Sequence, residues 1–242
     1  MPLTHKVTLG LAGLILSSCV FASPYVVTAN GDLSVEKGQI VNQKGKAVAF
    51  AGPSFFWSNN GWGGEIFYSR QTVAWAKNNW QATLIRSAMG IEGNGGYLKA
   101  PEANKQRVFD IVDAAIAEDM YVLVDWHDHH GQEHTQLAVE FFTEVAKRYG
   151  KNPHVIYEIY NEPKNATWLN HVKPYALTVI KAIRAHDPDN LIVVGTPNWS
   201  QDVDIAAVSP ILETKNIVYA LHFYAGSHKQ NLRNKAKKAL DA

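Results

Sequence analysis

The chain has 242 residues, 46% hydrophobic and 19% charged, a balance that suits one globular domain and excludes a low-hydrophobicity disordered chain. Its formal net charge is +1, and no basic block exists beyond the lysine-rich stretch from Lys235 to Lys238. Nucleic acid and anionic membrane are therefore excluded as expected partners. Seven Trp and 11% aromatic residues supply many flat apolar rings, for a core or for platforms in a binding cleft.

The N-terminus reads as an export signal. Lys6 precedes an apolar run over residues 7–20, and Val20-Phe21-Ala22 places small residues where a signal peptidase reads. The run is too short and wrongly flanked for a membrane span. Cleavage after Ala22 leaves a mature, secreted domain over 23–242. The single cysteine, Cys19, falls inside the signal, so the mature domain has no disulfide. Leu16-Ser17-Ser18-Cys19 also fits a lipoprotein cleavage box, a second reading of the same segment.

Residues 33–41 and 47–52 read as a small hairpin around Asn42-Gln43-Lys44-Gly45-Lys46. Short apolar runs then alternate with helical patterns. Strands are expected over 48–54, 83–88, 121–125, 155–159, 191–195 and 217–222, and helices over 70–78, 101–118, 135–149, 172–186, 203–209 and 229–241. The strand runs are continuously apolar, as in a sheet buried on both faces. Pro101 and Glu102 suit a helix first turn. Alternating strands and helices imply an α/β fold with a parallel sheet. About six βα units are present, whereas a closed (β/α)8 barrel needs eight; an open doubly wound sheet is the alternative on count alone.

Polar and aromatic groups gather just after the strands: Arg86 in the second, His127 after the third, Asn161 and Glu162 after the fourth, Trp199 after the fifth, His222 and Tyr224 after the sixth. Singly, each has an ordinary reading: Arg86 as an ion-pair partner, His127 and His222 as core histidines, Trp199 as a loop anchor. In register, they mark the carboxyl end of a barrel, where such folds assemble their sites. Glu162 follows the apolar run at 155–159 and precedes Pro163, which restricts its backbone. A carboxyl on so rigid an element, partly desolvated, is expected to hold its proton and act as a general acid. Glu158 alternates with Ile159 and is expected to make a structural pair.

The stretch VIYEIYNEP, with LIRSAM, VLVDWH, GTPNWSQDV and LHFYAGSHKQNLR in order, resembles glycoside hydrolase family 5, the bacterial-type endo-β-1,4-glucanases, from about Ser34 onward. The resemblance implies a (β/α)8 TIM-type barrel and retaining hydrolysis of β-1,4-glucan, without metal or other cofactor, by a monomer. It assigns Glu162 as acid/base and Asn161 as the residue holding the sugar 2-hydroxyl. Arg86 positions the nucleophilic glutamate, and His127 and His222 join the substrate network. The Tyr224 hydroxyl bonds the nucleophile, and Trp199 and Trp57 are sugar platforms on opposite sides.

The family's nucleophile follows a seventh strand, so it is expected beyond Ala242. Glu213, Glu158 and Asp125 remain as carboxylates, but none follows the expected strand. A non-hydrolytic β-glucan-binding or inactive relative, or another β-1,4-glycanase such as a mannanase, is the alternative. Lys164 after Glu162-Pro163, and the loop Asp128-His129-His130, depart from the family pattern. His127, Asp128, His129, His130 and His134 also prompt a metal reading, but neighbours on one loop rarely converge on an ion; no metal is expected. Asn165-Ala166-Thr167 and Asn198-Trp199-Ser200 fit the glycosylation sequon.

Overall fold

A computed structural model describes residues 26–242; the expected signal, its cleavage point and Cys19 lie outside the described residues. The chain enters through one helical turn, α1 (Val27–Asn30), and a hairpin of β1 (Ser34–Glu36) and β2 (Gln39–Val41). The hairpin turns at Lys37-Gly38, with φ of 50° and 75°, the left-handed pair that a two-residue loop requires. Residues 33–41 are thus two short strands rather than one. The expected turn at 42–46 forms as a second reversal, in which Asn42 N donates to Lys46 O at 2.9 Å and Val41 bridges Ala47.

The main sheet is parallel, in the order β3 (Leu84–Gly90), β4 (Tyr121–His127), β5 (Val155–Glu158), β6 (Ile192–Val194), β7 (Ile217–Tyr219). Helix α2 (Arg70–Trp80) precedes β3, and α3 (Pro101–Ala117), α4 (Thr135–Tyr149) and α5 (Lys173–Arg184) connect the first four strands. A short turn α6 (Pro197–Ser200) and helix α7 (Val203–Val208) precede β7, and α8 (Gln230–Leu240) follows it. Sheet order equals chain order throughout. A doubly wound sheet reverses direction at a switch point; this one does not, so the architecture is of the (β/α)8 barrel type. No helix among the described residues is long and apolar enough to cross a membrane.

The strand expected at 48–54 is not a regular strand. It accompanies β3 through Thr83 N to Ala51 O (2.8 Å), Arg86 N to Pro53 O (3.1 Å) and Phe55 N to Arg86 O (2.9 Å), with a single bridge between Ser54 and Arg86. Pro53 has no N–H to give. Gly52 lies so close to β3 that a Cβ there would stand 1.6 Å from Leu84 O. The last expected strand also ends early, at Tyr219, so His222 sits on a loop.

Alternation along the strands divides the interior in two. Ile85, Val122, Val124, Tyr157, Ile159, Ile192 and Val194 face the helices and join Val73, Val108, Phe142, Val179 and their neighbours in the larger core. The opposite face carries Leu84, Tyr121, Leu123, Ile156, Val193 and Val218, packed with Val26, Val27, Leu33, Val35 and Ile40 from the entry segment. The hairpin therefore closes the amino end of the strands with apolar contacts. Toward the carboxyl end the same inner face changes character, presenting Arg86, Asp125, His127 and Glu158.

Candidate active site

The segment after β5 continues alongside the segment after β4. Asn161 N donates to Trp126 O at 3.2 Å, Glu162 N to Asp128 O at 3.3 Å, and Lys164 N to His129 O at 3.0 Å. Behind it, Gly195 permits close approach, since a Cβ there would lie 2.1 Å from Tyr160 O. Glu162 is thus carried on backbone pinned from two sides, rather than on a free loop.

Below it, Arg86 is the hub of a buried network. Its Nε donates to Glu158 Oε2 at 2.7 Å, and Nη2 reaches Glu158 Oε1 at 3.0 Å, Asn161 Oδ1 at 2.9 Å and Asp125 Oδ2 at 2.8 Å. His127 Nδ1 donates to Asp125 Oδ2 at 2.6 Å, which leaves Nε2 to accept from Asn161 Nδ2 at 3.4 Å. Burial works to raise the Glu158 pKa, but the Arg86 charge, the nearby His222 ring at 3.7 Å and the hydrogen bonds from Arg86 outweigh it and bring the carboxyl to about 2. Asp125 moves the other way, raised by complete burial and by the Glu158 charge, against the pull of Arg86. Glu158 makes the structural pair its alternation implies, and that pair occupies the arginine which the family resemblance reserves for a nucleophile.

Glu162 sits above this network between two histidines. His222 Nδ1 donates to its Oε1 at 3.0 Å, and His129 Nε2 to its Oε2 at 3.4 Å. Burial acts to raise the Glu162 pKa, but the bonds from His129 and His222 prevail and hold it at about 2. Against the expectation that burial keeps this carboxyl protonated, the two imidazoles favour its ionised form. The protons lie on its partners. Burial alone lowers the His222 pKa, yet the Glu158 carboxylate 3.7 Å away and the bond to Glu162 lift it to about 9. The His129 pKa is raised chiefly by its bond to Glu162.

Aromatic surfaces surround the carboxylate. Trp57 stacks on Trp62 (centroids 5.3 Å, 21°) and meets His127 edge-on at 4.5 Å and His129 at 5.7 Å. A cleft of about 710 Å³ opens beside Glu162, lined by Trp199, His222, Tyr224 and His228 among others. Trp199 remains 41% exposed there. It is presented by three successive left-handed residues, Asn198, Trp199 and Ser200, with φ of 58°, 56° and 56°. Such backbone costs roughly 1–2 kcal/mol per non-glycine residue. Ser200 offsets the strain: fully buried, it donates from Oγ to Asn161 O at 2.7 Å, accepts from Thr196 N at 3.2 Å, and its carbonyl takes His222 N at 2.8 Å. One serine thus ties together the segments bearing Glu162, Trp199 and His222. Tyr224 is 75% exposed.

Arg86, His127, Asn161, Glu162 and His222 form one connected network; Trp57, Trp199 and Tyr224 line its approaches. Sequence reasoning weighs His129 only as a metal ligand and gives Trp62 and Ser200 no part in the site. Only the fold shows that His129 meets a residue far along the chain. Glu213 is exposed on the loop before β7, at the amino end of the sheet and away from this site. The loop histidines converge more than their adjacency suggests. Glu92, Asp128 and His130 bring ligand atoms within 4.8 Å of one another. His130 Nδ1 donates to Glu92 at 2.8 Å and His134 Nδ1 to Asp128 at 2.8 Å, so acids and imidazoles satisfy each other.

A parallel sheet of barrel order with polar side chains gathered at its carboxyl end has the layout of a barrel enzyme's site. Residues 41–242 match the model of Cellulase (glycosyl hydrolase family 5), and the chain belongs to this family. It is 53% identical to Endoglucanase Z of Dickeya dadantii over 96% of this chain and 53% of that protein. It is 42% identical to an endoglucanase of Clostridium saccharobutylicum, over 87% of this chain and 47% of that one. The chain spans about half the length of these curated relatives. Among solved structures, the catalytic domain of Thermobifida fusca endoglucanase Cel5A superposes with a TM-score of 0.83 at 32% identity, over 90% of this chain and 72% of that one. A variant of that domain has been solved in complex with cellotetraose.

Proposed function

We propose that this chain forms the substrate-binding and acid/base part of a secreted endo-β-1,4-glucanase that cleaves with retention. The observation that carries the reading is the Glu162 carboxylate, fixed at a strand end between His129 and His222 in a cleft edged by exposed aromatic rings. Sugar rings present apolar faces that stack on Trp57 and Trp199. Asn161 commits one amide hydrogen to His127 and keeps the other for a sugar hydroxyl.

The acid's proton is stored on the histidines. A histidinium beside a carboxylate holds the same proton count as a neutral imidazole beside a carboxylic acid. As glucan displaces water from the cleft, the neutral pair becomes the cheaper one. The proton then lies on Glu162, facing the glycosidic oxygen. Departure of the protonated leaving group needs a second carboxylate, about 5 Å away, to capture the anomeric carbon. Among the described residues, Asp125 and Glu158 are both committed to Arg86, which favours the second reading, glucan binding without turnover, for these residues alone.

The test uses the full natural chain. Glu162→Gln keeps shape and polarity but cannot donate the proton. Reducing-sugar release from soluble cellulose should fall roughly 10²–10⁴-fold, with a smaller loss on substrates carrying a good leaving group. Near-normal hydrolysis of polymer by this variant sinks the assignment. Product anomers read by NMR test retention, and N-terminal sequencing of secreted protein tests cleavage after Ala22.

A further inference from the structure

The residue after Glu162-Pro163 is a lysine, and its surroundings are unusual for a lysine. Its backbone N–H is held by His129 O at 3.0 Å, and Trp199 N donates to Pro163 O at 3.1 Å. Lys164 and the Trp199 turn are therefore fixed to the same short stretch of backbone. The Lys164 ammonium lies 5.9 Å from the centre of the Trp199 ring, at the outer limit of a cation–π contact. Its side chain is half-buried. Among the described residues no carboxylate lies within ion-pair distance of it. The acids nearest in the chain are engaged elsewhere: Glu162 with His129 and His222, and Asp202 with Lys235.

The other charges on this side of the cleft are paired with one another, which leaves the Lys164 ammonium as the charge without an ionic partner here among the described residues. His222 is lifted to about 9 by its carboxylate partners and so is cationic at neutral pH. Glu162 is the only acid among the cleft's lining residues, and two histidines face it. A neutral glucan can take an ordinary hydrogen bond from this ammonium, whereas a carboxylate on the sugar takes a charge-assisted one.

We propose that Lys164, beside the Trp199 platform, makes this side of the cleft selective for β-1,4-glucan chains that carry a carboxylate on a sugar, as a C6-oxidised or a carboxymethylated glucose unit. The sugar ring stacks on Trp199 while its carboxylate pairs with the ammonium. This inference rests on the glucan-binding reading above and deepens it. A half-exposed pair of this kind is weak singly, so the expected selectivity is modest and salt-sensitive.

The experiment is calorimetric titration of the chain at pH 7 with three ligands: cellotetraose, C6-oxidised cellotetraose and carboxymethylated cellotetraose. In dilute buffer at least one acidic ligand should bind about 3–5-fold more tightly than the neutral one, and the two acidic arms separate uronic from carboxymethyl recognition. The preference should vanish at about 0.5 M salt, where screening is short-ranged. It should also vanish in Lys164→Gln and persist in Lys164→Arg, while cellotetraose binds all three proteins alike. Equal binding of neutral and acidic ligands overturns the proposal and leaves the glucan reading standing. So does a preference that survives in Lys164→Gln, or a Lys164→Gln variant that loses cellotetraose as well. Failure of every ligand to bind overturns the glucan reading and the proposal with it. Thermal melts of each variant confirm that folding is unchanged.

Discussion

Replacing Arg86 with methionine should unfold more than it disarms. The guanidinium is 14% exposed, and the carboxylates it serves, Asp125 and Glu158, are 0% and 2% exposed. Methionine fills similar volume, so lost packing contributes little. What remains is two buried acids without their shared cation. Removing one partner of a buried ion pair costs about 3–5 kcal/mol, a large share of a net stability of about 5–15 kcal/mol. With a urea slope of about 2 kcal/mol/M, the midpoint should drop by about 2 M. The deficit should depend on pH in a defined direction. Without Arg86, burial raises both carboxyl pKa values above their unfolded values, so the folded variant binds protons more tightly than the unfolded chain does. Its stability then falls as pH rises, and the gap from the parent should be larger at pH 8 than at pH 5. Arg86→Met combined with Glu158→Gln should recover part of the loss, because the uncompensated charge is the main penalty. Urea melts at both pH values check this. An Arg86→Met protein within about 0.5 kcal/mol of the parent, the range of ordinary surface substitutions, would refute the account, as would a double variant no more stable than the single one.

Two further outcomes follow from the site. The Glu162 pKa is depressed to about 2 and the His222 pKa raised to about 9. The Glu162 contribution to stability is therefore present above its unfolded value and lost as pH falls toward 2, whereas that of His222 is present below about 6.5 and lost as pH rises through 9. NMR titration should show the His222 ring changing charge near 9, and at lower pH in Glu162→Gln; a ring that titrates alike in both proteins excludes the pairing. Ser200→Ala should cost about 1–3 kcal/mol in a urea melt, the usual penalty for leaving buried polar groups unpaired, and should alter Trp199 fluorescence. A variant with unchanged stability and emission removes Ser200 as the tie between the segments.

Much of the frame was legible in the chain because continuous apolar runs and the polar residues that follow them are local signals. The runs over 83–88, 121–125 and 155–159 placed Arg86, His127 and Glu162 at one end of a sheet without any knowledge of their neighbours. What eluded the sequence depends on pairs far apart in it. His129 meets Glu162 only because β4 and β5 lie side by side, and this meeting reverses the proton's expected place. Burial can be guessed from an apolar run; the charge of a residue on an adjacent loop cannot. The turn at Asn198–Ser200 was hidden for another reason. Pro-Asn-Trp-Ser carries no glycine, and its left-handed backbone is stabilised by bonds to Asn161, Thr196 and His222 that the local sequence does not encode. The turn at Lys37-Gly38 has a glycine signal, but the segment at 42–46 carries the richer turn composition of the two.

The order of the sheet also bears on how the chain reaches this structure. Each of β4 to β7 pairs with the strand before it, so every unit can dock on a neighbour already made, as the chain leaves the ribosome from its N-terminus. Loop closures are then short, and the entropic cost of each is modest. The entry hairpin does not share this sequence of events. Val35 N donates to Asn216 Oδ1 at 3.1 Å, across a separation of 181 residues, and Asn216 lies directly before β7. The segment synthesised among the first must wait for the last described strand before its closing bond can form. The entry segment can already rest on β4, where Tyr121 Oη donates to Gly31 O at 2.7 Å, but the inner face near Val193 and Val218 gains its cover only when β6 and β7 are in place.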